Sequence, residues 1–347
     1  MSLQPCACRG IDVHAHVVPE HFPAYLGAHV PAQWPHTVAA PAQGGLCHRH
    51  VMIAGQQYRT VSEKCWSTPR RLADLPGMGL ARQVISPMPE LLSYWLAPAD
   101  AHALLRYLNE QTAAMVADSG GALLGLAAVP LQDLSLAIAE LRHAVEALGL
   151  VGVELGSNVN GVPIGHPCFL PFFQACEALD VPVFVHALKP TGMDRLVGPA
   201  PLQQVLAYPS DVGLAAASVI TANLLLACPR LRIAFSHGGG TLAMLLPRLQ
   251  QGWQVFAALR EQVQASPLAQ ARQLFFDTLV FDESTLRHLV DRFGPGQLML
   301  GSDYPFNFHE RTPAQRVEAA GFDGATVSAL LHGNAERFFG LTPQAIP

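Results

Sequence analysis

Eight short apolar runs punctuate the chain, at residues 9–17, 82–87, 122–129, 151–156, 182–187, 231–237, 274–280 and 297–302. Most are rich in Val, Ile, Leu and Phe and show little polar–apolar alternation, as strands buried on both faces do. Segments with helical spacing lie among them, at about 69–77, 100–118, 133–148, 167–179, 211–227, 241–263, 283–292 and 325–339. Strands that alternate with helices in this way predict an α/β fold, a (β/α)8 barrel of the TIM type. One segment breaks the alternation. Between Pro35 and Trp66, short β-branched and aromatic runs are separated by Pro41, Gly44, Gly45 and Gly55. That pattern predicts a small antiparallel β insert after the first strand. Loops that follow barrel strands lie on the catalytic face. An insert at about 35–66 is therefore expected to cap that face, within one barrel domain spanning 1–347.

Composition adds to this picture. Apolar residues make up 50% of the 347 and charged ones 14%, against about 25% charged in ordinary proteins. Such a chain buries a large core and keeps apolar surface for a partner subunit. A net charge of −5 with no Lys/Arg cluster argues against nucleic acid as a partner. The seven cysteines (6, 8, 47, 65, 168, 176 and 228) show no C-x-x-C pair. They read as reduced thiols of a cytoplasmic protein. Met1 to Gly10 lacks the apolar core of a signal peptide. The uncharged stretch 212–229 is long enough to raise the question of a membrane span. Its Ser218, Thr221 and Asn223 instead favour a buried helix at a subunit interface.

The chemistry sits at strand ends. The first strand carries Asp12-Val13-His14-Ala15-His16. Side chains alternate along a strand, so His14 and His16 share a face and form a chelating pair for a divalent metal. Two core histidines are the plainer alternative. The fifth strand ends in His186, the sixth in His237 before Gly238-Gly239-Gly240, and the eighth leads into Asp303. Three imidazoles and a carboxylate suit one zinc ion, with iron, cobalt or manganese as alternatives. His237 is either a further nitrogen ligand or, as preferred here, an acid/base beside the metal, since catalytic sites keep an open position. The three glycines read as a close approach of backbone to metal or substrate. His48-Arg49-His50 repeats the H-x-H spacing inside the insert without a following carboxylate, and reads as surface. Arg70, Arg71 and Arg82 read as helix and barrel-rim charges.

D-x-H-x-H on the first strand, single histidines on the fifth and sixth and an aspartate on the eighth resemble the amidohydrolase superfamily. Tyr58-Arg59, Glu63-Lys64-Cys65-Trp66, Ser93-Tyr94-Trp95, Phe184-Val185-His186, Ser236-His237-Gly238-Gly239-Gly240 and Gly301-Ser302-Asp303-Tyr304-Pro305-Phe306 resemble its aminocarboxymuconate-semialdehyde decarboxylase-like branch. The resemblance covers about residues 10 to 340. It implies that His14, His16, His186 and Asp303 hold one metal. It also implies that His237 activates a metal-bound water or shuttles a proton, with Asp303 sharing the proton handling. By the same resemblance, Arg59 holds a substrate carboxylate and Arg248 reaches the neighbouring subunit's site in a homodimer. No lysine in 151–156 offers itself as a metal bridge, which agrees with a mononuclear site. Where the branch has Pro-Trp after its fifth-strand histidine, this chain reads Ala187-Leu188-Lys189, so Lys189 is either a new cation for substrate or a solvated loop residue. The implied activity is metal-dependent, non-oxidative decarboxylation of a small unsaturated or aromatic carboxylic acid. The alternative is a hydrolase or hydratase of the same superfamily, acting on an ester, lactone, amide or double bond. A metal-binding scaffold without activity is the third reading.

Overall fold

The structure, a computed structural model, describes residues 9–342; Cys6 and Cys8 lie outside the described residues. The chain enters through β1 (Gly10–Val17) and passes into an antiparallel sheet of β2 (His36–Gln43), β3 (Leu46–Ile53) and β4 (Gln56–Ser62). This sheet is the insert that the Pro and Gly punctuation predicts. The α1 helix (Thr68–Asp74) returns the chain to β5 (Leu80–Pro87). Alternation then proceeds through α2 (Pro98–Ala117), β6 (Leu123–Ala128), α3 (Leu134–Glu146) and β7 (Gly152–Gly156). A short hairpin of β8 (Asn158–Val159) and β9 (Val162–Pro163) precedes α4 (Leu170–Ala178) and β10 (Val183–His186). Next come α5 (Tyr208–Thr221), α6 (Leu224–Ala227), β11 (Ile233–Phe235), α7 (Leu242–Val255), α8 (Ala257–Gln262), α9 (Pro267–Ala271) and β12 (Phe275–Asp277). The last turn of the barrel comprises α10 (Glu283–Phe293), β13 (Leu298–Met299), α11 (Pro313–Ala319), α12 (Gly324–Ser328) and α13 (Asn334–Phe339).

Eight strands form one parallel sheet in the order β1-β5-β6-β7-β10-β11-β12-β13. The two ends of that sheet meet. Val13 donates its N–H to Leu300 O at 2.8 Å, Asp303 to His14 O at 2.7 Å and His16 to Tyr304 O at 2.7 Å. The predicted barrel is thus the observed one. Its strands are buried on both faces, so their backbone groups must pair with each other. Ile11, Val13, Val84, Leu126 and Phe184 pack with Phe338 and Phe339 of α13. The Phe184 ring also lies 5.2 Å from that of His14, so this apolar layer is the floor on which the polar site rests.

One expectation differs in detail. The helical pattern at 241–263 is two helices, because Phe256 is extended (φ −90°, ψ 117°) and divides α7 from α8. The charge-free stretch at 212–229 turns Val212, Ala215, Ala216, Val219 and Ile220 into this chain's own core. Leu214 and Leu226 of the same stretch remain exposed. No described helix is long and apolar enough to cross a membrane.

Candidate functional site

The ends of β1 and β10 and the turn after β13 bring four ligand-type side chains together. His14 and His16 project from one face of β1 with their Nε2 atoms 3.1 Å apart. Asp303 Oδ1 lies 3.2 Å from His16 Nε2 and 3.7 Å from His14 Nε2. The His186 ring stands 5.0 Å from His14 and 5.1 Å from His16. One donor atom from each of these four residues falls within 4.8 Å of all the others.

Each imidazole is aimed by its other nitrogen. His14 Nδ1 meets Asp277 Oδ2 at 2.7 Å, His186 Nδ1 meets the Ala187 carbonyl at 2.8 Å and His16 Nδ1 meets Ser86 Oγ at 3.3 Å. An acceptor at Nδ1 keeps the proton there and leaves the Nε2 lone pair free, the second-sphere arrangement of metal-binding histidines. His186 Nε2 is buried with no hydrogen-bond partner. An orphaned buried polar atom costs about 1–3 kcal/mol, and three converging imidazoles with a carboxylate suit a divalent cation in that place.

The electrostatics are uneven. Burial disfavours the charged form of His14, but the hydrogen bond to Asp277 and the charges of Asp303, Asp277 and Asp12 outweigh it and raise its pKa to about 9. Burial pushes His16 and His186 below the ordinary histidine range. Burial opposes ionisation of Asp303, yet its hydrogen bond to His16 and the charge of His14 hold its carboxyl below the usual range. The fully buried Glu154 on β7 goes the other way: burial raises its pKa well above the carboxylate range.

His237 stands beside the cluster and outside the four converging donors. It sits on a left-handed turn (φ 55°) with its ring 4.9 Å from His186 and its Nδ1 2.9 Å from Ser236 Oγ. Burial, reinforced by the neighbouring His14, lowers its pKa to about 4. Asp277 accepts the backbone N–H of His237 at 2.9 Å and of Gly238 at 2.8 Å, so one carboxylate aims His14 and braces this turn.

A narrow cavity opens over the cluster. Arg59 from β4 lines it, with its guanidinium 4.1 Å from the centroid of Phe306. Phe306 in turn stacks on His16, ring centroids 5.4 Å apart. Glu90, buried in the turn after β5, and Tyr208, at the start of α5, form another wall; the Tyr208 hydroxyl donates to Glu90 Oε1 at 2.6 Å. Phe281 and Phe308, stacked 4.9 Å apart, line the cavity as well.

Other predicted residues lie elsewhere. Arg248 is exposed on α7 and lines no part of this cavity within its own chain. Lys189 is exposed, its Nζ 3.6 Å from the centroid of Trp95, and does not line the cavity. His48 and His50 hydrogen-bond to Leu46 O and Thr60 Oγ1 within the insert. Two readings need correction. Arg71 is no rim charge: it is fully buried, donates to the His16 carbonyl and to Gln83 Oε1 at 2.6 Å, and lies 4.9 Å from the Tyr304 ring. The three glycines admit close protein packing. A Cβ would meet Leu289 at 2.7 Å from Gly238, Phe276 at 2.5 Å from Gly239 and the Pro209 carbonyl at 1.8 Å from Gly240.

Asp12 is fully buried and outside the converging four. It accepts from Gln83 Nε2 at 2.8 Å, Ser302 Oγ at 2.6 Å and the N–H groups of His14 and Ser302 at 3.1 and 3.0 Å. Burial raises its pKa to about 6 against these hydrogen bonds. Sequence reasoning passed over Asp277, Glu90 and Tyr208. Asp277 did carry a signal, a lone carboxylate at the end of the apolar run Leu274-Phe275-Phe276. Glu90 similarly interrupts an apolar segment between Pro89 and Leu91, whereas Tyr208 has no local mark.

A family model described as amidohydrolase matches residues 11–341. A 2-amino-3-carboxymuconate-6-semialdehyde decarboxylase of Dictyostelium discoideum is 32% identical over 335 residues, covering 96% of this chain and 92% of its own. One from Caenorhabditis elegans is 27% identical, covering 89% of this chain and 88% of its own. Among solved structures, the apo IDCase of Metarhizium anisopliae superimposes with a TM-score of 0.80 at 22% identity, covering 96% of this chain and 97% of its own.

Proposed function

This chain belongs to the amidohydrolase family, and from that premise we propose that it is a metal-dependent, non-oxidative decarboxylase of a small unsaturated or aromatic carboxylic acid. The observation that carries the reading is the convergence of four donor atoms within 4.8 Å, facing a cavity lined by Arg59. His14, His16, His186 and Asp303 would hold one ion per chain, zinc by ligand type, with manganese, iron and cobalt as alternatives. When bound, the metal supplies Lewis-acid stabilisation of negative charge on the substrate.

The chain's own groups do the rest. Arg59 binds and orients a substrate carboxylate, while Phe306 backs its guanidinium and shields it from water. Loss of CO2 leaves an electron pair on the former carboxyl-bearing carbon, which must gain a proton. His237, neutral through burial and anchored by Ser236, can pass a proton at Nε2, and the Asp303 carboxylate also lines the cavity. The insert that carries Arg59 is read as a cap on the catalytic face.

The active assembly is read as a homodimer. Met244 is 72% exposed, Val255 59% and Phe256 61%, around the exposed Arg248 on α7. An apolar surface that flanks an unused arginine suits a second copy, whose site Arg248 would enter. The five described cysteines are free thiols, which suits a cytoplasmic location.

The test is carbon balance. Protein stripped by chelation and reloaded with zinc or manganese is given a panel of benzoates and muconate-type acids, and evolved CO2 is measured against acid consumed. One CO2 per acid, lost on chelation and regained on reloading, is expected. A product that keeps its carbon would replace this reading with a hydrolase or hydratase.

A further inference from the structure

The cavity wall carries two opposite charges that face the same space without touching. Arg59 and Glu90 both line it without a direct ion pair among the described residues; burial lowers the Arg59 pKa, and the charge of Glu90, foremost among its neighbours, more than offsets that. Arg59 rests its guanidinium on the face of Phe306. Glu90 is 8% exposed and is held by the Tyr208 hydroxyl at 2.6 Å. Tyr58 stands behind this pair, its hydroxyl 3.4 Å from that of Tyr208. Burial in the first place, with the charge of Glu90 added, raises the pKa of both phenols, so they remain proton donors.

A buried carboxylate is a poor neighbour for an acid. It repels any anion that brings nothing to donate and attracts one that offers an O–H or N–H. It also cannot be left facing an apolar occupant without losing its solvation. We propose that Glu90, positioned by Tyr208, is the specificity-determining residue of the cavity: it accepts a hydrogen bond from a hydroxyl or amino group of the substrate while Arg59 takes a carboxylate. The substrate class is then narrower than small carboxylic acids in general. It comprises acids that carry a hydrogen-bond donor on the same flat framework, and the aromatic pair Phe281 and Phe308 offers that framework an apolar wall. This inference rests on the reading of the cavity as a site for carboxylic acids.

The test measures binding, so it does not depend on turnover. Metal-loaded protein is titrated calorimetrically with 2- and 3-hydroxybenzoate, 2- and 3-aminobenzoate and the corresponding methoxybenzoates. The wild type should bind at least one donor-bearing acid about tenfold tighter than its methyl ether, the advantage of a charge-assisted hydrogen bond. In Glu90→Gln the gap should close to about threefold or less, because the neutral amide makes a weaker hydrogen bond and no longer repels the ether. Metal content should stay unchanged. Tyr208→Phe, which leaves the carboxylate in place without its anchor, should narrow the gap part of the way. Equal affinities in the wild type overturn the proposal, as does a gap that persists in Glu90→Gln. A uniform fall across the panel in that variant also overturns it, since it would mean that Glu90 merely balances Arg59. If CO2 is released equally well from acids with and without a donor, the decarboxylase reading stands and this one fails; if no member of the panel binds or reacts, both fail.

Discussion

Arg71→Met removes a buried cation while nearly preserving its volume. The side chain is wholly inaccessible, and its two terminal nitrogens serve the His16 carbonyl and Gln83 Oε1. Gln83 passes the connection on to Asp12 at 2.8 Å. The substitution leaves two buried acceptors unanswered, at about 1–3 kcal/mol each. It also relieves the desolvation of the guanidinium, which burial already disfavours enough to lower its pKa. The net expectation is a loss of about 2–4 kcal/mol. At about 2 °C per kcal/mol for a chain of this size, Tm should fall by about 4–8 °C in differential scanning calorimetry. A second effect separates this network from an ordinary core contact. The His16 carbonyl belongs to the strand that presents both chelating imidazoles, so its release should weaken metal binding by about 10- to 100-fold, as losses beyond the ligand sphere do. Competition with a chromogenic chelator measures that directly. A variant with unchanged Tm and metal affinity would refute the account. A lower Tm with unchanged metal affinity would confine Arg71 to stability.

Three further outcomes follow from the site. His237→Asn, chosen because Asn tolerates the left-handed φ of 55°, should keep its metal by elemental analysis and lose about 10²–10⁴ in rate; loss of metal instead would make His237 a ligand. Arg59→Ala and Arg248→Ala should each raise KM about ten- to a hundredfold, and equal mixing of the two variants should restore about a quarter of wild-type activity if Arg248 serves the partner's site. No recovery after demonstrated subunit exchange would place Arg248 in its own chain's site or in the interface alone. Gly240→Ala puts a Cβ 1.8 Å from the Pro209 carbonyl at φ +57°, and should destabilise the fold by about 2–4 kcal/mol in thermal unfolding through overpacking and left-handed strain.

The barrel was legible because parallel strands covered on both faces must be continuous apolar runs, and these are visible without knowing their partners. Metal-type residues were legible for a related reason: an imidazole or carboxylate that ends such a run, as His186 does, has little reason to be there except to project from the barrel's end. The limits of that logic lie where a residue's role depends on what approaches it from far along the chain. Arg71 sits in the short helix α1 and looks like any solvent-facing charge until the fold brings Gln83 and the His16 carbonyl against it. The glycines after His237 face Leu289, Phe276 and Pro209, from three other elements. Glu90 and Tyr208 meet across 118 positions. Helix ends were displaced where local backbone geometry decided, as at the extended Phe256.

The seam that joins β1 to the turn after β13 has a meaning in time as well as in space. Asp12 and Ser302, bonded across it, are 290 positions apart, and His14, His16 and Asp303 stand on its two sides. During synthesis at about 5–20 residues per second, the paired imidazoles wait roughly 15–60 s for the carboxylate that completes their set. A chain released before residue 303 owns the histidines without the aspartate and without the hydrogen bonds that fix their strand. An ion held by all four groups would therefore mark a chain made at least through residue 303 and closed across this seam.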